Sequence, residues 1–364
     1  MRFPEFNEEW KKSVISSIAE VVGGGTPDTN IQEFWEGNII WYTPSEIGKE
    51  KYCYRSLRTI SENGLKNSSA KMLPKGAILL SSRATIGEAS ITINECSTNQ
   101  GFQSLIAKDN INNEYLYYLI LTQKHNLYRK ACGSTFLEIS ASEIRHLKVH
   151  FPSKEEQTKI ATFLSLIDER IETQSKIIED LKTLINGVRN KLCQKSLPNT
   201  TLGDIAEIYQ PQTISSSELN EDGEYFVYGA NGIIGKYNNY NHTTEQICIA
   251  CRGTCGIVNY TQKYSWINGN AMVINVDKFL HKVNKKYLYY LLSSMDFSSL
   301  ISGSTQPQIV RSPIVKMKIY LPSLEKQEEI SSVLDTFYKK KEIEKSILQN
   351  LKQQKKYLLQ QMFI

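Results

Sequence analysis

Three cysteines in the second half of the chain have the residue type and spacing of a metal site: Cys248, Cys251 and Cys255. Thiolates bind zinc well, but a structural zinc site is tetrahedral and this spacing supplies only three ligands. The chain also repeats itself, as described below, and around Arg83 and Arg252 its halves align with an offset of 169. These cysteines therefore fall opposite Leu79, Ser82 and Ile86 of the first copy. We therefore predict that these cysteines are structural and that the chain binds no metal.

No group of residues predicts catalysis. Residues 232–236 (GIIGK) resemble a phosphate-binding loop, but Ala230 stands at the first glycine position and Tyr237 at the position of the hydroxyl that binds Mg²⁺. The 5 histidines are scattered without metal-ligand spacing. The sequence also contains no Asn-Pro-Pro-aromatic or Asp-Pro-Pro-aromatic segment to orient an amine for methyl transfer. These observations favour a binding function over an enzymatic one.

The chain is built from two similar halves. Residues 133–135 (GST) recur at 303–305, and the pattern of residues 152–164 recurs at 322–334, with every matched pair 170 positions apart. Two copies of this length indicate a duplicated domain, since a solenoid stacks several repeats of roughly 20 to 50 residues. The 364 residues are also more than one hydrophobic core usually supports. We therefore predict two globular parts, each followed by a long helix.

Apolar residues after each matched segment recur in steps of four and three, the spacing of a coiled-coil strand. The seam of the first helix consists of Ile160, Leu164, Ile167, Ile171, Ile178, Leu181, Ile185, Val188 and Leu192. The second seam is weaker, because Lys341, Glu344 and Lys355 interrupt its apolar positions. Roughly 38 residues in each helix would span about 57 Å. A chain that returns through a second globular domain can pair these helices antiparallel.

Composition and charge exclude few functional classes of protein. A net charge of +5 permits nucleic-acid binding without requiring it. No apolar run approaches the roughly 18 residues of a membrane span, and the first residues have no apolar signal core. An odd number of cysteines, 7, fits a reducing compartment better than a disulfide framework. We expect a cytoplasmic protein that does not associate with membranes.

Taken in order, the motifs resemble those of the specificity (S) subunit of type I restriction-modification systems. The resemblance covers the whole chain and is carried by residues 2–6 (RFPEF) with Trp10, 24–27 (GGTP), 41–47 (WYTPSEI), 78–87 (ILLSSRATIG), 228–235 (YGANGIIG), 252–253 (RG) and the P-x-x-x-x-Q-x-x-I start of each long helix. One departure is that the second half has residues 210–213 (QPQT) where the first has GGTP. Contacts inferred for the GGTP loop of the first half are therefore not assigned to the second half.

The resemblance implies a non-catalytic α+β subunit whose two α/β target-recognition domains are related by a pseudo-twofold and separated by two antiparallel coiled-coil helices. The implied boundaries are 1–151, 152–196, 197–321 and 322–364, alternating recognition domain and helix. Each domain would read one half of a bipartite, asymmetric site in double-stranded DNA. The helices would hold two methyltransferase (M) subunits, and two restriction/translocase (R) subunits would join. S-adenosylmethionine, ATP and Mg²⁺ would belong to those partners, so we expect no cofactor in this chain.

Within that resemblance, Arg83 and Arg252 occupy equivalent strand ends and could contact phosphate or the O6/N7 edge of guanine. A salt bridge inside each domain is the alternative. Hydroxyl and amide side chains on the glycine-led loops could donate to phosphates or bases, unless they serve only the turn: Ser134, Thr135, Ser304, Thr305 and Gln306. Four further candidates, for which burial or turn formation is the alternative, are Tyr42, Ser45, Tyr228 and Asn231.

Two other functions remain open at the level of sequence. One is a coiled-coil scaffold whose globular domains bind protein or RNA, which a DNA retention assay at several salt concentrations would separate from a DNA reader. The other is the target-recognition subunit of a related system that cuts on both sides of its site. Neighbouring reading frames would distinguish that system, since it has a fused methylase and nuclease.

Overall fold

The computed structural model describes residues 1–133, 137–193, 197–303 and 305–363. The chain divides into two compact units, Met1–Gln174 with Ile347–Ile364, and Ser175–Ser346. Each unit therefore contains one globular part and a stretch of each long helix. The domain boundaries at 151, 196 and 321 remain predictions, and the second of them falls at residues 194–196, outside the described residues.

Within its described residues, the first unit contains ten strands and five short α-helices before the long helix. The strands are β1 (Lys11–Val14), β2 (Ala19–Gly23), β3 (Trp35–Tyr42), β4 (Tyr52–Cys53), β5 (Arg58–Ile60), β6 (Ile78–Leu80), β7 (Ala89–Thr92), β8 (Cys96–Thr98), β9 (Gln103–Ala107) and β10 (Lys148–Phe151). The helices are α1 (Ile15–Ile18), α2 (Glu62–Lys66), α3 (Asn113–Thr122), α4 (Lys124–Lys130), α5 (Ala141–Arg145) and the long α6 (Lys154–Cys193). The main sheet has the order β2-β9-β6-β7-β4, and a smaller one has the order β5-β3-β8.

The second unit repeats this plan with shorter connections. Its strands are β11 (Thr200–Thr201), β12 (Glu207–Tyr209), β13 (Tyr225–Gly229), β14 (Gly232–Tyr237), β15 (Ile247–Ala250), β16 (Val258–Tyr260), β17 (Trp266–Ile267), β18 (Ala271–Asn275), β19 (Ile301–Ser302), β20 (Gln308–Ile309) and β21 (Lys318–Ile319). Its helices are α7 (Lys285–Ser293), α8 (Arg311–Val315) and the long α9 (Leu324–Met362). The sheets have the orders β12-β18-β15-β16 and β14-β13-β17.

The central strand of each main sheet is a short apolar run, which suits a strand covered on both faces. All residues of β6 and of β15 are buried. Ile78 of β6 lies opposite Leu105 of β9, and Ile247 of β15 lies opposite Ile274 of β18. The two pairs are each 169 positions apart in sequence, so the duplication extends to strand register.

In the first unit the start of α6 packs antiparallel against the end of α9. Ile160 and Leu164 share a buried cluster with Leu358 and Met362. Farther along, Lys355 Nζ forms an ion pair with Asp168 Oδ1 at 2.5 Å. Lys355 interrupts the predicted apolar seam, and this carboxylate explains why a lysine is tolerated there.

Among the helices of the described ranges, none is long and apolar enough to cross a membrane.

In the second unit the end of α6 packs antiparallel against the start of α9. Cys193 lies in a buried cluster with Ile330 and Leu334. One turn earlier on α6, Arg189 Nη1 donates to the hydroxyl of Tyr338 at 3.3 Å. Residue numbers rise along α6 as they fall along α9 in each unit, so the predicted antiparallel pairing is correct.

The P-x-x-x-x-Q motif has the same structural role in both units. Gln157 is 1% exposed, accepts a hydrogen bond from the backbone N–H of Asn112 at 3.0 Å and donates to the carbonyl of Pro152 at 3.0 Å. Gln327 is 0% exposed and makes the corresponding bonds to Asn284 at 2.8 Å and Pro322 at 2.9 Å.

The two residues that donate their backbone N–H groups are themselves helix N-caps. The side chain of Asn112 caps α3 and that of Asn284 caps α7. Each buried glutamine therefore joins the globular part of its unit to a long helix through the cap of a core helix.

Candidate nucleic-acid interface

A tight turn follows the buried central strand of the first unit and carries Arg83. The backbone N–H of Thr85 donates to the carbonyl of Arg83 at 2.8 Å, and that of Gly87 donates to Ser81 at 3.0 Å. Ala84 has φ 65° and Gly87 has φ 83°. A left-handed alanine is unfavourable for an L-residue, so the surrounding hydrogen bonds impose this shape. We call residues 81–87 the first tip turn.

The second unit has the same turn after its central strand. The N–H of Cys255 donates to the carbonyl of Gly253 at 3.0 Å, and that of Gly256 donates to Ala250 at 2.9 Å. Gly253 has φ 73° and Gly256 has φ 90°. Arg252 precedes the first left-handed residue, as Arg83 does in the first unit. Residues 250–256 are the second tip turn, and its Gly253 adopts the left-handed conformation without the cost that Ala84 carries.

The glycine-led loop of the first unit lies directly beside the first tip turn. Arg83 forms a bridge with Glu138, and the N–H of Ile139 donates to the carbonyl of Ser82 at 3.0 Å. Cys132 and Glu138 also exchange backbone hydrogen bonds, which close the loop. The predicted contacts Ser134 and Thr135 lie outside the described residues.

The glycine-led loop of the second unit has the same position. Arg252 forms a bridge with Gln308, and the N–H of Ile309 donates to the carbonyl of Cys251 at 2.9 Å. Thr305 and Gln306 are exposed in this loop. Ser304 lies outside the described residues. Sequence positions far apart thus meet at one tip in each unit, as a shared binding surface requires.

The two arginines differ in their partners. Arg83 donates from Nε to Oε2 of Glu138 at 3.0 Å and from Nη2 to the same oxygen, so the intradomain salt bridge considered from sequence is present. Its side chain nevertheless remains 42% exposed. Arg252 is exposed and takes part in no ion pair within the part of the chain that the structure describes.

Two of the predicted contacts are buried. Tyr42 is 0% exposed and packs in a cluster with Cys53 and Phe102, and desolvation raises the pKa of its hydroxyl strongly. Tyr228 is 5% exposed, and its hydroxyl accepts a hydrogen bond from the backbone N–H of Gln262 at 3.1 Å. Both side chains pack inside their domains instead of facing a ligand, so we remove them from the candidate contacts.

Ser45 and Asn231 are both exposed. Ser45 Oγ lies 3.1 Å from Thr43 Oγ1 in a capping turn. Asn231 occupies the hairpin turn between β13 and β14, where its side chain accepts a hydrogen bond from the hydroxyl of Thr254. This bond attaches the hairpin to the second tip turn. The sequence analysis did not include Thr254 among the candidate residues. Its sequence signal was its position directly after the motif of residues 252–253 (RG).

The glycines of the GGTP loop in the first unit allow close approach of the backbone. A Cβ on Gly24 would lie 2.1 Å from the carbonyl oxygen of Asn99, and one on Gly25 would lie 2.3 Å from the backbone of Ala70. The indole of Trp41 donates to the carbonyl of Gly25 at 2.9 Å. In the second unit the side chain of Gln210 donates to the carbonyl of Gly269 at 3.1 Å instead. The corresponding segments of the two halves thus make different contacts, as the difference between GGTP and QPQT predicted.

The cysteines near the second tip turn do not converge on one point. Cys248 packs in one buried cluster and Cys251 in another. Side chains alternate between the two faces of an extended segment, so residues three positions apart point to opposite faces. Burial raises the pKa of the Cys248 thiol to about 12. Cys255 donates from Sγ to the carbonyl of Pro307 at 3.2 Å. Among the described residues, no group of three or more His, Cys, Asp or Glu side chains could hold a metal ion.

The fold and its paired tips define a duplicated recognition domain mounted on two long helices. A family model described as the type I restriction modification DNA specificity domain matches residues 7–183 and 198–353. The chain therefore belongs to this family, whose members are the DNA-specificity subunits of type I restriction-modification systems. Family membership confirms the resemblance and the prediction of a DNA-recognition subunit that is not itself an enzyme.

Individual relatives agree with the family. The chain is 44% identical over 181 residues to the type I restriction enzyme MjaIX specificity subunit of Methanocaldococcus jannaschii, a match that covers 49% of this chain and 42% of that protein. It is 25% identical over 350 residues to the EcoprrI specificity subunit of Escherichia coli, covering 89% of this chain and 86% of that protein. The match thus spans less than half of the first relative and most of the second.

Solved structures share the fold. The type I restriction-modification S subunit of M. genitalium superimposes with a TM-score of 0.63 at 19% identity, over 100% of this chain and 99% of that chain. A chain from a structure of a type I R-M system superimposes with a TM-score of 0.64 at 16% identity, over 98% of each chain. The predicted fold class, two α/β domains with two long antiparallel helices, is confirmed.

Proposed function

We propose that the chain recognises a bipartite, asymmetric site in double-stranded DNA, and that each tip turn contacts one half-site together with its neighbouring glycine-led loop. The observation that carries this proposal is the bridge that joins an arginine-bearing turn to the end of the glycine-led loop in each unit, Arg83 with Glu138 and Arg252 with Gln308. The sequences of these loops contain hydroxyl and amide side chains. Such side chains donate hydrogen bonds to phosphates and base edges. The globular parts diverge around the tips, which suits two different half-sites.

The proposed contacts on described residues are Arg83, Arg252, Thr305, Gln306, Ser45 and Asn231. Ser134, Thr135 and Ser304 are proposed from the sequence alone, because they lie outside the described residues. Because Arg83 and Arg252 lie on tight turns, we expect these two side chains to approach DNA from a preformed backbone, which lowers the entropy lost on binding.

We also propose that the long helices hold two methyltransferase subunits and that two restriction/translocase subunits complete the assembly. In both units a buried glutamine joins the globular part to a long helix, and the helices pair antiparallel, so each unit offers a similar platform. Similar surfaces presented twice suit two copies of one partner. S-adenosylmethionine, ATP and Mg²⁺ would be bound by those partners, and the complex would act in the cytoplasm.

The test of DNA recognition uses the full chain co-purified with its methyltransferase partner. Binding is measured on a duplex that carries the site found by methylation mapping, and on duplexes with each half-site scrambled in turn. Arg83→Ala should weaken binding by about 1–3 kcal/mol if the arginine makes a base contact. The loss should disappear when the half-site that it reads is already scrambled.

Equal affinity for the intact and the scrambled duplexes would contradict site recognition. The purified chain alone should transfer no methyl groups to the same DNA, whereas the complex should. Methyl transfer by the chain without a partner would overturn the assignment of all catalysis to other subunits. Native mass spectrometry of the complex would test the proposed two methyltransferase subunits.

A further inference from the structure

The two tip turns differ at one equivalent position that faces the arginine. Glu138 is the bridge partner of Arg83, and Gln308 is the bridge partner of Arg252. These positions lie 170 residues apart, in the same register as the repeat. A carboxylate and a carboxamide have nearly the same shape but differ by one charge. The two units therefore present a similar turn with a different charge beside the arginine.

In the first unit the carboxylate holds the arginine by one oxygen. Nε and Nη2 of Arg83 both donate to Oε2 of Glu138. Nη1 of the arginine and Oε1 of the glutamate have no hydrogen-bond partner within residues 1–133 and 137–193. The two side chains are 42% and 35% exposed. The pair therefore presents a donor and an acceptor side by side at the surface with no net charge.

In the second unit the arginine keeps its full charge. Arg252 and Gln308 are both exposed, and the described residues contribute no carboxylate in an ion pair with this guanidinium. A neutral glutamine opposite the arginine neither neutralises it nor fixes its orientation. An exposed guanidinium of this kind is suited to a phosphate, which it can bind through two parallel N–H groups.

The difference in charge separates two modes of DNA contact. A carboxylate beside an arginine repels phosphate, but it can accept a hydrogen bond from the exocyclic amine of cytosine while the guanidinium donates to guanine. Base contacts discriminate between sequences, whereas phosphate contacts position the protein and release counterions.

We propose that the residue at positions 138 and 308 determines whether the neighbouring tip arginine contacts a base edge or a phosphate. Glu138 is a specificity-determining residue that withholds Arg83 from phosphate and presents it to base edges as an ion pair, whereas Gln308 leaves Arg252 free to neutralise a phosphate. The inference rests on the proposed DNA recognition by the tips, and it goes beyond it by assigning the two arginines different roles.

The salt dependence of binding distinguishes these roles. The logarithm of the association constant falls with the logarithm of salt concentration by about 0.9 for each phosphate that a protein neutralises. For the full chain with its methyltransferase partner on the mapped duplex, Arg252→Gln should reduce this slope by about 0.9. The double variant Arg83→Gln/Glu138→Gln should leave the slope unchanged while reducing discrimination at one base pair of the first half-site by roughly tenfold.

Reciprocal exchanges at the equivalent positions provide matched controls. Glu138→Gln frees Arg83, so it should increase the slope by about 0.9, and Gln308→Glu should decrease it by the same amount. Arg252→Lys keeps the charge and should keep the slope. Damage to folding cannot produce opposite shifts from opposite exchanges, and circular dichroism melting curves would identify any variant that fails to fold.

Two results would overturn the inference. One is a slope for Arg83→Gln/Glu138→Gln that falls as much as that for Arg252→Gln. The other is unchanged slopes for both exchanges at 138 and 308 in folded protein. Failure of the proposed function itself would be different, because the unmodified complex would then bind the mapped and the scrambled duplexes equally at every salt concentration.

Discussion

Replacing Gln157 by leucine should loosen the attachment of the first globular part to its long helix. The glutamine is 1% exposed and makes hydrogen bonds to the N–H of Asn112 and the carbonyl of Pro152. Leucine has a similar volume but cannot make either bond. Each polar group left unpaired in a buried site costs about 1–3 kcal/mol. The added apolar surface offsets part of that cost. We therefore expect the free energy of opening at this site to fall by about 2–4 kcal/mol.

Hydrogen exchange measured by mass spectrometry localises this loss. Peptides from α3 should exchange faster in Gln157→Leu, since Asn112 caps that helix, whereas peptides from α7 should not change. Gln327→Leu should give the reverse pattern. Gln353→Leu, on an exposed position of α9, is the matched control and should change the opening free energy by less than about 0.5 kcal/mol. Unchanged exchange in α3 of Gln157→Leu would refute the role of the motif.

Three further outcomes follow from the same structure. Tyr118→Phe removes a hydrogen bond to Asp168 Oδ2 at 2.6 Å, and Tyr290→Phe removes the equivalent bond to Asp335. Each variant should lower the free energy of unfolding in urea by about 1.5–3 kcal/mol. An unchanged free energy of unfolding would contradict this prediction. Ala84→Gly should stabilise the first unit by up to about 1 kcal/mol, whereas Gly253→Ala should destabilise the second, with melting temperature as the readout. Incubation with EDTA should leave the melting curve unchanged, and a fall in melting temperature would indicate a metal site.

Much of the fold could be predicted from the sequence because its signals are local or periodic. The heptad spacing predicts the long helices, and an offset of 169 residues relates the two tip turns to each other. The same offset rejects the cysteine cluster as a metal site, since unrelated side chains occupy the matching positions. The motif at the start of each helix is visible in the sequence, but the hydrogen bonds of its buried glutamine depend on contacts with the cap of a distant helix.

What could not be predicted depends on contacts between distant segments. Glu138 lies 55 positions after Arg83, and no local pattern indicates that their side chains meet. Burial of Tyr42 depends on packing against residues of other strands, so an exposed and a buried tyrosine look alike in sequence. Lys355 looks like a defect in the seam until Asp168 is placed opposite it.

The central claim is that this chain supplies the DNA specificity of a type I system by reading two separate half-sites. Methylation mapping of the host genome, with and without the gene for this chain, tests it most directly. We predict a two-part motif with modified adenines on opposite strands that disappears when the chain is absent. A continuous motif, or a two-part motif that persists without the chain, would contradict the account.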